Sequence, residues 1–106
     1  MAGRVAEGRA QFGILACGTG IGMSIAANKI EGIRAALARD PATARLAREH
    51  NDANVLALAA RGTPGEQAIA IVTEFLAAQF AGGRHQRRID KISQLDQERE
   101  RQHDQP

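Results

Sequence analysis

A cysteine followed by alternating glycines, Cys17-Gly18-Thr19-Gly20-Ile21-Gly22, is the first place in this chain where chemistry could be done. A thiol acts as nucleophile or base through its anion. Bare backbone N–H groups and the dipole at a helix start favour that anion. Glycines let the same N–H groups come close to a bound anion. The spacing is G-x-G-x-G rather than the G-x-G-x-x-G of a dinucleotide site. The six residues also fit a plain tight turn over a buried cysteine.

Two further clusters could carry charge or protons. His50-Asn51-Asp52 follows a helical stretch. A histidine there can act as acid or base, or simply favour a helix C-terminus as a cation. Gly82-Gly83-Arg84-His85-Gln86-Arg87-Arg88 opens the last helical stretch, with Arg84 and Arg88 four apart on one face. Two arginines at a helix N-terminus oppose its dipole, so helix stability does not call for them. A bound phosphate would, since guanidinium pairs with it bidentately and stays charged. A solvated helix start is the plainer reading. His85 and His103 have no metal-ligand spacing with Cys17 or with each other, and no metal is expected.

Composition narrows the classes. The chain has 106 residues, 43% hydrophobic and 25% charged, with a net charge of +2. That is enough for one modest core. With three Phe, no Trp and no Tyr, it lacks the aromatic faces on which single-stranded nucleic acid stacks. The Arg84–Lys91 cluster is interleaved with Asp90, so no nucleic-acid partner is expected. A single cysteine allows no internal disulfide and fits a reducing compartment. No apolar run approaches a membrane span and no signal core opens the chain, so a cytoplasmic location with no membrane partner is expected.

The elements that must position these residues read as strand–helix repeated three times, then one more helix. QFGILA (residues 11–16) is a buried strand running into Cys17, and a helix follows the glycines to Lys29. Residues 33–38 form a second strand. Asp40-Pro41 is a helix start, cap and first position together, and that helix runs to about Glu49 before a polar corner at 50–52. NVLALA (residues 54–59) is a third strand. Residues 62–65 open a long helix in which Ile69, Val72, Leu76 and Phe80 form one stripe facing the core. Gly82-Gly83 breaks it. The last helix sets Ile89, Ile92 and Leu95 on one side. One domain is expected over residues 1–96, with 97–106 a polar, frayed or disordered tail. Alternating strands and helices predict an α/β fold with a parallel sheet. Three strands make a small sheet, and Val5-Ala6 and Ala10 read like the end of a helix with nothing before it.

Taken in order, CGTGIG, NK-x-x-GIR, HN-x-x-NV and GGRH resemble the ribose-5-phosphate isomerase B family, which includes galactose-6-phosphate isomerase subunits. The matching stretches are FGILACGTGIGMSIAANKIEGIRAAL (residues 12–37), AREHNDANVLAL (47–58) and GGRHQRRI (82–89). The resemblance implies a three-layer, flavodoxin-like sandwich that interconverts ribose 5-phosphate and ribulose 5-phosphate without a cofactor, in the pentose phosphate pathway. It makes Cys17 the base that moves the proton. Thr19 and the N–H groups of Gly18, Gly20 and Gly22 hold the enediolate oxygens. His50 opens the sugar ring, Asn51 binds substrate, and Arg84 and Arg88 clamp the phosphate. It also implies a homodimer, or a dimer of dimers, whose active sites are shared between subunits. The presence of Cys17 and Ile21 places the chain with the cysteine branch, not the branch with Ser and Glu at those positions.

The resemblance also implies an opening strand with a D-H-x-G motif, and nothing here matches it. The sequence is therefore expected to lack the family's N-terminal third. A chain without it is expected to show weak activity or none, and to expose sheet edge. The motifs fix the chemistry more than the sugar. Galactose 6-phosphate, allose 6-phosphate and a tetrulose phosphate are alternatives, as is a remnant that only binds phosphate or dimerises.

Overall fold

The structure, a computed structural model, describes residues 2–8 and 10–103, with backbone alone at 100, 102 and 103. The elements are α1 (Ala2–Ala6), β1 (Gly13–Cys17), α2 (Ile21–Asn28), β2 (Ala35–Leu37), α3 (Pro41–Asn51), β3 (Val55–Ala59), α4 (Gly65–Ala77) and α5 (Arg84–His103). The strands form one parallel sheet in the order β1-β3-β2. Gly13 and Ala35 both register with Val55, and Cys17 registers with Ala59. β3 is thus central and buried along its whole length.

Alternation along the strands sends side chains to two cores. Val55 packs with Ala27, Ile33, Val5 and Ala2, beneath α1 and α2. Leu56 and Leu58 pack on the other face with Ala44, Ala47, Ile71 and Phe75, from α3 and α4. Helices therefore cover both faces, which is the three-layer α/β sandwich expected of strands that read as near-continuous apolar runs. Phe12 meets Phe75 edge-on, with centroids 5.7 Å apart and planes at 74°.

Local signals set the element ends. Asp40 caps α3: its Oδ1 accepts from Thr43 N at 2.7 Å, and Pro41 takes the first position. That bond holds the Asp40 carboxyl below its ordinary range. The far end differs from the sequence reading. His50 and Asn51 are the last residues of α3 and not a corner beyond it, because Asp52, at φ 47°, makes the left-handed stop.

Two other expectations are corrected. The α4 stripe is turned: Ile71 and Phe75 are buried and Val72 packs against their core, whereas Ile69 is 70% and Leu76 49% exposed. Phe80 lies beyond the helix. The stretch 97–103, expected to fray, continues α5. Gln, Glu and Arg are good helix formers. Asp96 Oδ2 accepts from Gly32 N at 3.0 Å, and Arg99 Nη1 donates to Lys29 O at 2.9 Å, so this helix is tied to the α2–β2 turn. Residues 104–106, the end of that stretch, lie outside the described residues. Among the described residues no helix is long and apolar enough to cross a membrane.

Candidate active site

Cys17 ends β1 at the carboxyl edge of the sheet, where parallel α/β sheets bind ligands. The chain then turns over Gly18 and Thr19 into α2. Gly20 caps that helix at φ 79°, and its N–H donates to Cys17 Sγ at 3.2 Å. Only glycine fits there. A Cβ would collide with the Leu37 side chain and lie 3.1 Å from the Leu58 carbonyl. Thr19 Oγ1 accepts from Ile21 N at 3.3 Å. Gly22 lies inside the first turn of α2 rather than in the loop. The sulfur, one hydroxyl and a run of backbone donors thus share one corner, a geometry suited to developing negative charge.

This corner is tied to the end of β3. Ala60 N donates to Cys17 O at 2.7 Å and Arg61 N to Gly18 O at 3.0 Å. Arg61 was not picked out from sequence. Its Nε lies 3.4 Å from where a Gly18 Cβ would stand, so Gly18 gives the arginine room beside the thiol loop. Arg61, Arg39, Thr19 and Gln67 line a cavity of about 290 Å³. An arginine just past a strand's carboxyl end was the signal that could have found it.

The other expected site residues meet at the opposite edge. α3 starts at the carboxyl end of β2 and runs back to the amino edge, so His50 and Asn51 lie beside the start of β3. The segment before α5 follows them, with Ala81 N donating to Glu49 O at 3.0 Å. Arg88 Nη1 donates to Asn51 Oδ1 at 3.1 Å. His85 stacks on His50, with centroids 4.3 Å apart and planes 14° apart. Its imidazole pKa is lowered, first by burial and then by the charges of His50, Arg84 and Arg88. Arg84 has no hydrogen bond or ion pair among the described residues.

Two buried or half-buried ion pairs hold this corner. Arg48 Nη1 donates to Asp52 Oδ1 at 3.0 Å and to Ala53 O at 2.7 Å, with its guanidinium 4.5 Å above the Phe12 ring. Arg34 Nε donates to Asp52 O at 2.8 Å, and its Nη2 pairs with Asp52 Oδ2 at 3.4 Å. The left-handed Asp52 is therefore fixed from two sides, and it sets where His50 and Asn51 end.

The expected site residues fall into two groups separated by the length of the strands, about 13 Å for five residues. Cys17, Gly18, Thr19, Gly20 and Gly22 form one; His50, Asn51, Arg84 and Arg88 form the other. No hydrogen bond or ion pair joins the two groups among the described residues. Among the described residues no three His, Cys, Asp or Glu side chains converge as a metal site.

Comparison with known proteins agrees with this architecture. A family model described as Ribose/Galactose Isomerase matches residues 1–92. Ribose-5-phosphate isomerase B of Escherichia coli is 52% identical over 95 residues, covering 90% of this chain and 64% of the relative. D-erythrulose-4-phosphate isomerase of Pectobacterium atrosepticum is 43% identical over 102 residues, covering 96% of this chain and 67% of the relative. The crystal structure of ribose-5-phosphate isomerase B from Mycoplasma genitalium with bound ribulose-5-phosphate superposes with TM-score 0.88 at 50% identity, covering 92% of this chain and 64% of that one. The chain thus spans a little under two thirds of the E. coli and M. genitalium enzymes. By the match to its family model and by its fold, this chain belongs to the ribose/galactose isomerase family.

Proposed function

We propose that this chain supplies the chemistry of a cofactor-free aldose–ketose isomerase acting on ribose 5-phosphate and ribulose 5-phosphate, in the pentose phosphate pathway of the cytoplasm. The observation that carries the reading is Cys17 at the ligand-binding edge of a parallel sheet, its sulfur accepting the Gly20 N–H at 3.2 Å. Similarity to the M. genitalium enzyme, whose structure holds ribulose-5-phosphate, supports the choice of sugar.

His50 opens the sugar ring. The Cys17 thiolate then takes the C2 proton. The bonding pair moves into a C1=C2 double bond and negative charge gathers on O1. Thr19 and the loop N–H groups hold the enediolate oxygens. The thiol returns the proton to C1 while the O2 proton passes to O1, giving the ketose. Arg84 and Arg88 grip the phosphate at the far end. This remote binding holds C1 and C2 over the sulfur.

One site must then combine Cys17 of one copy with His50, Asn51, Arg84 and Arg88 of another. The chain works as a homodimer, or as a dimer of dimers, with shared sites. The separation of the two groups across the sheet supports this arrangement. A four-carbon substrate is the second reading, supported by similarity to the Pectobacterium enzyme.

The test is turnover of the purified chain on ribose 5-phosphate, erythrulose 4-phosphate, galactose 6-phosphate and allose 6-phosphate, with Cys17→Ala beside it. Turnover is expected to be weak and highest in kcat/KM on ribose 5-phosphate, with a further loss of about 10³-fold in Cys17→Ala. Preference for another sugar moves the assignment within the family. No turnover on any of them, or turnover untouched by Cys17→Ala, overturns the isomerase reading and leaves a protein that only binds phosphate or dimerises.

A further inference from the structure

The stacked imidazoles at the amino edge have a role that the chemistry above does not use. His85 is 8% exposed and its Nδ1 has no hydrogen-bond partner. Burying an imidazole with an unpaired nitrogen costs stability. The fold therefore gains nothing from that nitrogen, and the ring lies against a residue assigned to the reaction. Beside it stand His50 from α3 and Arg84 and Arg88 from its own helix. Glu49 faces Arg45 at 3.8 Å, and Asn51 is held by Arg88. No carboxylate pairs with His85 among the described residues, and two guanidiniums stand beside it. A second positive charge is disfavoured there, so His85 stays neutral near pH 7.

We propose that His85 is a positioning residue for His50, its buried ring lying flat on the neighbouring imidazole and fixing the plane in which that imidazole meets the closed sugar. Without it His50, at the last turn of a helix, is free to swing about its side-chain torsions. Arg48, Arg34 and Asp52 fix the backbone beneath His50 but leave its ring unrestrained. His85 restrains the ring itself, and it approaches on α5, the helix that carries the phosphate-binding arginines. One helix start then sets both the phosphate clamp and the orientation of the ring-opening group.

The inference rests on the isomerase reading, and its test separates the two. Three variants are compared with the unaltered chain: His85→Ala, His85→Asn and His85→Phe. The last keeps a flat ring. Turnover is measured from ribose 5-phosphate, which must open its ring. Exchange of the C1 proton of ribulose 5-phosphate with solvent is measured alongside, since that sugar is already open and exchange needs only Cys17 chemistry. Turnover from ribose 5-phosphate is expected to fall about tenfold or more in His85→Ala and His85→Asn. C1 exchange is expected to stay within about twofold, and His85→Phe to recover most of the turnover.

Equal losses in both reactions would mean that His85 only supports the fold. No loss in turnover would mean that it does not position His50. Either result overturns the proposal. The NMR signals of the His50 ring give a readout that needs no activity. They are expected to carry a ring-current displacement that vanishes in His85→Ala and persists in His85→Phe. If the unaltered chain shows neither turnover nor exchange, the isomerase reading fails, and these signals still decide whether His85 orders His50. Signals that do not move in His85→Ala refute the stacking role outright.

Discussion

Two imidazoles and two guanidiniums crowd the start of α5, and a proton on His85 is disfavoured there. The His85 pKa is lowered from an ordinary 6.5, chiefly by burial. Below pH 6.5 the unfolded chain therefore binds this proton more readily than the folded one. The stability owed to a neutral, buried His85 is complete above pH 6.5 and is lost as the pH falls through the lower folded-state value. Urea unfolding across that range should show stability declining toward acid, with a shallower decline in His85→Phe, which has no proton to bind. An unchanged slope in the variant would show that His85 is not the group responsible. At this scale the sequence told part of the story. The thiol loop and the Asp40-Pro41 cap were legible because each is a contiguous run whose chemistry is local. The stack of His85 on His50, the guanidinium of Arg48 over Phe12 and the seat of Arg61 beside Gly18 were not, because each joins residues many positions apart. Of these, Arg61 alone carries a local mark, its place just past the carboxyl end of a strand.

Helix α4 shows why elements were easier to find than to orient. Its existence followed from the glycine–proline start and a long apolar stretch, and the helix is there. Its sequence, GEQAIAIVTEFLA, carries apolar residues on more than one face. Periodicity alone cannot say which of two apolar stripes meets the sheet. Ile71 and Phe75 won, and they sit against Leu56 and Leu58 from β3 in the same core. Phe75→Ala should therefore cost about 3–5 kcal/mol, by the cavity it leaves beside Phe12. Ile69→Ser, on the face read as buried from sequence, should cost no more than about 0.5 kcal/mol in the isolated chain. Urea denaturation of both variants checks the assignment. A large loss in Ile69→Ser would mean that its face is covered in solution. The end of α5 teaches the converse. Its residues are polar enough to read as a loose tail. What orders them is Asp96 and Arg99 reaching backbone groups on the α2–β2 turn, more than sixty positions earlier in the sequence.

Across the whole molecule, the sheet places Cys17 at one edge and Arg84 and Arg88 at the other, and several large apolar side chains are exposed. Ile21, Ile25, Ile69, Leu76 and Leu95 are all exposed. On the proposed reading, a two-fold axis that sets the thiol corner of one copy against the histidine–arginine corner of the other does so twice over. The consequence can be tested without a structure of the assembly. If the site is shared as proposed, Cys17→Ala removes one half of every site, and Arg84→Ala with Arg88→Ala removes the other. Each variant alone should be inactive. Mixed under conditions that let subunits exchange, they should form hybrids in which one site has lost both halves and the other has lost neither. With random exchange of equal amounts, about one quarter of the original activity should return, since half the dimers are hybrids with one intact site of two. If both groups served one chain's own site, no mixture could restore anything, because every site would keep its defect. Activity recovered on mixing, and absent when either variant is mixed with itself, therefore distinguishes a site built by two copies from one built within a single chain.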